Sequence, residues 1–215
     1  MKSLFFGILL IILLGVGGLV YRNAVEHPLQ PIACPLDAEL CPDGTAVSRT
    51  GNSCTFPACP PPNVSLASIN VAFAVPAGFG DLALPDAPSV AAYTLPANAS
   101  STGDANIIIR RYSIDASSTA LAVIQQTAIS GASGMPVSAT SFTSTVLGSH
   151  RFTVATVERF EGVVDTAYYL ARGTDVLRFD AIDMNVTGWT DPGLNQSALP
   201  AHAALLKLLS TLQGQ

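Results

Sequence analysis

The chemistry-bearing residues that cluster most tightly in this 215-residue chain are its four cysteines, all within the stretch ACPLDAELCPDGTAVSRTGNSCTFPACP. Their spacing, Cys34-x6-Cys41-x12-Cys54-x4-Cys59, lacks the C-x2-C pairs from which zinc ribbons build tetrahedral sites. A catalytic dithiol wants C-x-x-C and a depressed thiol pKa, and no such pair is present. Two disulfides remain, clamping a segment too small to bury a core of its own. Asp43-Gly44 and Gly51-Asn52 supply turn residues for a hairpin between them. Nesting Cys41 with Cys54 inside Cys34 with Cys59 is then the simplest of the three possible connectivities. A disulfide-braced loop carrying Arg49 could also enter a protease as an inhibitor, since a rigid loop loses little entropy on binding.

Other candidates are weaker. DMNVTGWTDPGL places Asp183, Asn185, Thr187, Gly188 and Asp191 where a calcium loop holds its first ligands, but Leu194 stands where the bidentate glutamate belongs. His27, His150 and His202 are scattered, and SGASG misses the G-x-S-x-G nucleophile elbow. Of the three, His150 is the candidate base for a hydrolase whose residues meet only in the fold. Arg110 and Arg111 could grip an anion, yet neighbouring residues of a strand point to opposite faces, so only one can serve a given pocket. The sequence therefore assigns no catalytic, cofactor-binding or metal-ligating residue.

The elements around these residues give them a place. Leu4 to Val20 is a run of seventeen residues without a charge, about 26 Å of helix at 1.5 Å per residue. Residues 1–22 are read as a signal anchor forming a transmembrane helix, or as a cleaved signal that leaves a secreted protein. Four cysteines favour an oxidising compartment, so the bulk of the chain is placed on the extracytoplasmic side of a single-pass cell-membrane protein. Residues 23–33 form a stalk, 34–59 the cysteine module, and 60–65 a proline-rich linker of extended geometry.

From residue 66 to 215 the pattern is that of an α+β domain. SINVAFAVP alternates Ile69, Val71, Phe73 and Val75 on one strand face, and ANIIIRRY is an apolar strand of central type. Asp115 offers a cap to a helix in ASSTALAVIQQTAIS, with Leu121, Ile124 and Ala128 at helical spacing. Four strand-like runs follow, joined at Gly148-Ser149, Glu161-Gly162 and Arg172-Gly173 as an antiparallel meander. A last helix spans Ser197 to Gln213, with Pro200 in its first turn and Leu205, Leu208, Leu209 and Leu212 as its apolar stripe. An antiparallel sheet flanked by helices, an α/β/α sandwich, is expected.

The order of these elements, opening on VAFAVPAGF, resembles the PsbP-like fold. That resemblance implies a compact sandwich used for binding or assembly, with no catalytic motif to carry over. The cysteine stretch is similar to a small CPDG-type module of bacterial surface proteins, a resemblance that implies a bacterial envelope.

A net charge of -5 and the absence of a Lys/Arg cluster argue against a nucleic-acid partner, whose phosphates demand a basic footprint. The reading is a membrane-anchored extracytoplasmic binding or assembly module, contacting membrane through residues 4–20 and a protein or small ligand elsewhere. The alternatives are an envelope hydrolase, or a protease inhibitor acting through the cysteine module.

Overall fold

The structure, a computed structural model, describes residues 2–26, 33–41, 46–96 and 104–214. The expected Asp43-Gly44 turn and His27 lie outside those residues. The chain divides into two compact units, residues 1–39 with 48–57 and residues 40–47 with 58–215.

In the first unit, helix α1 runs over Lys2–Glu26, and its side chains from Phe6 to Arg22 are all exposed. The expected transmembrane helix is corrected here: among the described residues no helix is long and apolar enough to cross a membrane. The uncharged run has seventeen residues, below the about 20 needed to span a hydrocarbon core of about 30 Å. Beyond it the helix continues through Arg22 into the polar turn ending at Glu26.

The disulfide pairing also differs from the nested expectation. Cys34 bonds Cys54 and Cys41 bonds Cys59, with Cα separations of 5.3 and 5.6 Å, both within the range a disulfide spans. The chain doubles back between Thr50 and Thr55 through Gly51 at φ 71°, and this turn brings Cys54 rather than Cys59 to Cys34. Within the cysteine segment β1 (Ala38–Leu40) and β2 (Ala46–Ser48) are short strands.

The second unit is built on one antiparallel sheet. Its strands are β5 (Gly80–Asp81), β6 (Ser89–Leu95), β7 (Ala105–Ser113), β8 (Thr143–Leu147), β9 (His150–Phe160), β10 (Val163–Ala171) and β11 (Asp175–Asp183), in spatial order β5-β6-β7-β11-β10-β9-β8. The expected meander is β8 to β11, and its central strands are the most buried because strands flank them on both sides. The opening SINVAFAVP forms only β4 (Val71–Phe73), which pairs with β3 (Val64–Leu66) outside the main sheet. Its alternation still buries Ile69, Val71 and Phe73 on one side.

Helix α3 (Pro200–Ser210) packs on one sheet face, where Leu205, Leu208 and Leu209 meet Ile107, Ile109, Leu177 and Phe179. Proline at its start needs no N–H partner there, and the Asp183 carboxylate accepts from the Ala201 and His202 amides at 2.7 and 3.3 Å. Helix α2 (Ala120–Thr127) sits over the other face. Thr119, not Asp115, caps it, accepting from Ala122 N at 3.2 Å. The stripe shifts accordingly: Val123, Ile124 and Ala128 are buried and Leu121 is exposed.

The expected α/β/α sandwich is thus corrected to a sheet-dominated fold: among the described residues, a seven-stranded antiparallel sheet, two two-stranded sheets and three helices. Helix α2 has eight residues, about 12 Å of helix. A seven-stranded sheet is about 30 Å wide at the usual strand spacing, so this helix covers part of its face rather than forming a layer.

Candidate functional site

Two arginine clusters lie on opposite faces of the sheet, because Arg110 and Arg111 are consecutive residues of β7. On the α2 face, Arg110 Nε donates to Asp86 at 2.8 Å and its Nη1 to Asp180. Arg178 Nε donates to Asp180 at 2.6 Å, and its Nη2 lies 3.6 Å from Asp165. The Arg178 Nη1 donates to the Thr127 carbonyl at the end of α2. Asp180 is fully buried. Burial, reinforced by the charge of Asp180 and opposed by Arg178, pushes the Asp165 carboxyl well above the ordinary carboxylate range. With a proton on Asp165, two guanidiniums would face two carboxylates and the cluster would balance. It is a closed ionic lattice that ties three strands to α2.

On the opposite face the arrangement is open. Arg172 and Asp175 flank the tight β10–β11 turn, and Arg172 grips Asp175 through Nε and Nη2, each at 2.7 Å. Arg111 sits opposite Leu177, diagonal to Asp175 on the same face, and its Nε donates to Asp175 Oδ2 at 2.7 Å. Two guanidiniums thus share one buried carboxylate. Hydrogen bonds from Arg172, opposed by burial and helped by Arg111, hold the Asp175 carboxyl below the ordinary range. The turn at Ala67–Asn70 closes the site: Arg172 Nη1 donates to Ile69 O at 2.6 Å and Arg111 Nη1 to Ser68 O at 3.3 Å. Asn70 holds this turn in the left-handed region at φ 50°.

A cavity of about 340 Å³ opens between these groups. A second, of about 360 Å³, adjoins it across Arg172 and is lined by His150, Leu170, Ala171 and Gly173. The Arg172 side chain is spent on Asp175 and the Ile69 carbonyl, whereas Arg111 is 42% exposed and its Nη2 has no partner among the described residues. The two arginines and Asp175 sum to +1. Such a rim suits a carboxylate or phosphate oxygen, which a guanidinium fork receives in plane.

The other sequence candidates resolve as follows. His150 Nε2 faces the Gly214 carbonyl at 3.1 Å and so carries the proton, while Nδ1 lies 3.3 Å from Ser149 Oγ, long for a hydroxyl hydrogen bond. A carbonyl, which cannot ionise, orients the ring where a catalytic base would use a carboxylate. His202 is buried against Tyr168, with Nε2 2.6 Å from the phenol oxygen. The calcium-like loop is dismantled: Asp183 caps α3, Asp191 accepts from Gly193 N at 2.8 Å, and the Trp189 and Asp191 carbonyls accept from Arg159. Among the described residues no group of three or more His, Cys, Asp or Glu could hold a metal. Arg49 is turned onto its own module: Nε donates to Asp37 at 2.8 Å, Nη1 to Cys54 O at 3.0 Å, and its guanidinium stacks 4.1 Å over Phe56. An inhibitory loop would instead present that side chain outward.

From sequence, Arg172-Gly173 is only a turn and Asp175 has no assigned role. The available signal was Arg-Gly-Thr-Asp at a hairpin, an arginine and an acid three residues apart with a tight turn between them.

No protein family matches the chain, and no curated protein does. A solved structure from Bacteroides thetaiotaomicron VPI-5482 is similar at 11% identity and a TM-score of 0.42, over 67% of this chain. The matched part amounts to 45% of that chain, and a likeness at this level carries no argument for fold or function.

Proposed function

We propose that the protein is an extracytoplasmic binding or assembly module of an envelope, attached to a membrane through residues 4–20, and that its sheet domain receives an anionic group of its partner at the Arg111 rim. The observation that carries this reading is the unengaged Nη2 of Arg111 at the mouth of the cavity, beside an Arg172 locked by Asp175. A fixed positive wall with one free guanidinium edge receives a carboxylate or phosphate oxygen without reorganising, which is the condition for efficient binding. Two paired disulfides support an oxidising compartment, and the exposed apolar surface of α1 supports attachment to lipid. The order of elements after Pro62, which resembles that of PsbP-like binding modules, supports a binding role.

Isothermal titration of the full chain in detergent with inorganic phosphate and with acetate tests the reading. Binding is expected for at least one anion, weakened at least tenfold by Arg111→Ala and unaffected by Lys207→Ala. Equal binding by the wild type and Arg111→Ala sinks the proposal.

A further inference from the structure

The seven-stranded sheet has two edges, and they are treated differently. One is β5, two residues long and carrying Asp81. The other is β8, Thr143–Leu147, lying in a stretch from Gly131 to Ser149 that holds no charged residue. Charges, prolines and bulges are the devices that keep an edge strand from pairing with another chain. Strand β8 has none of them: its sequence is TSTVL, and it follows β9 without a break in register.

The hairpin fixes which backbone groups are free. Gly148, at φ 58°, and Ser149 form a two-residue turn, so its closing pair Leu147 and His150 exchange hydrogen bonds. Thr143, Thr145 and Leu147 therefore face β9, and the N–H and C=O groups of Ser144 and Val146 point away from the sheet. Among the described residues no strand pairs with that side.

We infer that β8 pairs antiparallel with β8 of a second copy, joining two sheets into one of fourteen strands. The occupant follows from the strand's own symmetry. With Thr145 on the two-fold axis, Ser144 of each copy lies opposite Val146 of the other, and each such pair exchanges two backbone hydrogen bonds. All four outward-facing donors of the two copies then have acceptors. The two Thr145 residues meet as a pair without hydrogen bonds, with Cα atoms about 4.5 Å apart. No like charges oppose one another, which is the usual obstacle to self-pairing. A second copy is thus complementary to this edge without rearrangement, and a C2 pair closes on itself so that no fibre results.

The test uses the full chain in detergent. All four native cysteines are in disulfides, so Thr145→Cys introduces the sole free thiol, placed on the axis at a distance a disulfide spans. Mild oxidation is expected to give a crosslinked dimer at least ten times faster than for Leu121→Cys on exposed α2. Adding Ser144→Pro removes an N–H that only the dimer uses, and is expected to reduce crosslinking about tenfold while leaving the melting temperature unchanged. Thr145→Cys crosslinking no faster than Leu121→Cys, or insensitive to Ser144→Pro in a protein that still melts normally, overturns the inference. So does a monomeric mass in sedimentation at 100 µM or so, a concentration at which weak edge pairing is populated.

Discussion

Arg110 and Arg111 are neighbours in the chain and belong to different chemistry: Arg110 is tied to Asp86 and Asp180 under α2, while Arg111 reaches Asp175 on the opposite face of the same sheet. The pleat separates them, and the two faces then diverge in charge balance and in access to solvent. One face holds a closed lattice that fixes the fold; the other holds a rim with a free guanidinium edge.

Removing the carboxylate between the rim arginines exposes its role. In Asp175→Asn the side-chain shape is kept while the rim charge rises from +1 to +2. A loss of roughly 2 kcal/mol of stability is expected, since the three charged hydrogen bonds that Asp175 accepts from Arg172 and Arg111 are weakened or lost. Phosphate affinity is expected to increase. Chemical denaturation and titration calorimetry check both; an affinity that falls in step with stability contradicts a rim whose net charge sets anion binding.

Arg178 and Arg111 differ in what their loss leaves behind. Arg178→Ala strands the fully buried Asp180 with Arg110 alone, and breaking a buried pair in this way costs about 3 to 5 kcal/mol. Arg111→Ala, at a partly exposed position, is expected to cost about 1 kcal/mol or less. Urea unfolding curves read the two values, and equal costs would contradict the division into lattice and rim.

The pH dependence has two signs. Asp165, raised by burial and by Asp180, keeps its proton in the folded state to a higher pH than in the unfolded chain. Its contribution is fully present below the unfolded value of about 3.9 and is lost as pH rises through the folded value. Asp175 is lowered, so its contribution is present above about 3.9 and lost as pH falls through its folded value. Asp165→Asn has no proton to lose. It is expected to melt above the wild type at pH 8, by the order of 2 °C, and to match it at pH 4. A melting temperature at or below that of the wild type at pH 8 contradicts the raised Asp165 carboxyl.

The disulfide pairing separates two double variants. Cys34→Ser with Cys54→Ser removes one bond and leaves no titratable thiol; Cys34→Ser with Cys59→Ser leaves two. Thiol titration under denaturing conditions decides between the crossed and the nested pairing, the nested one giving the reverse result. Loss of either native bridge is expected to lower stability by roughly 3 kcal/mol.

Much of the sheet domain was legible because its strands alternate cleanly. The triple isoleucine of β7, the meander and the leucine stripe of α3 all follow from periodicity and turn residues, and burial agrees with them. Strand β6 escaped because SVAAYTL is rich in alanine and carries little β signal. The start of α2 was misplaced since Asp115 and Thr119 are both capping types, and only packing selects Thr119. The rim was invisible for another reason: Arg111 and Asp175 are 64 residues apart, and nothing local records that their strands pair. The cysteine spacing excluded metal and redox motifs, but pairing depends on the Thr50–Thr55 turn, a feature that spacing does not encode.

The central claim, a free guanidinium edge on Arg111 that receives an anion, is tested most directly by following the arginine Nε–H resonances of the full chain in detergent during titration with inorganic phosphate. The account predicts a saturable shift of the Arg111 signal as its Nη2 takes the anion, with Arg178, buried under α2, and Arg49, held by Asp37 in the cysteine module, unmoved. A shift at Arg49 or Arg178 with Arg111 unchanged, or no saturable shift at any arginine, contradicts it.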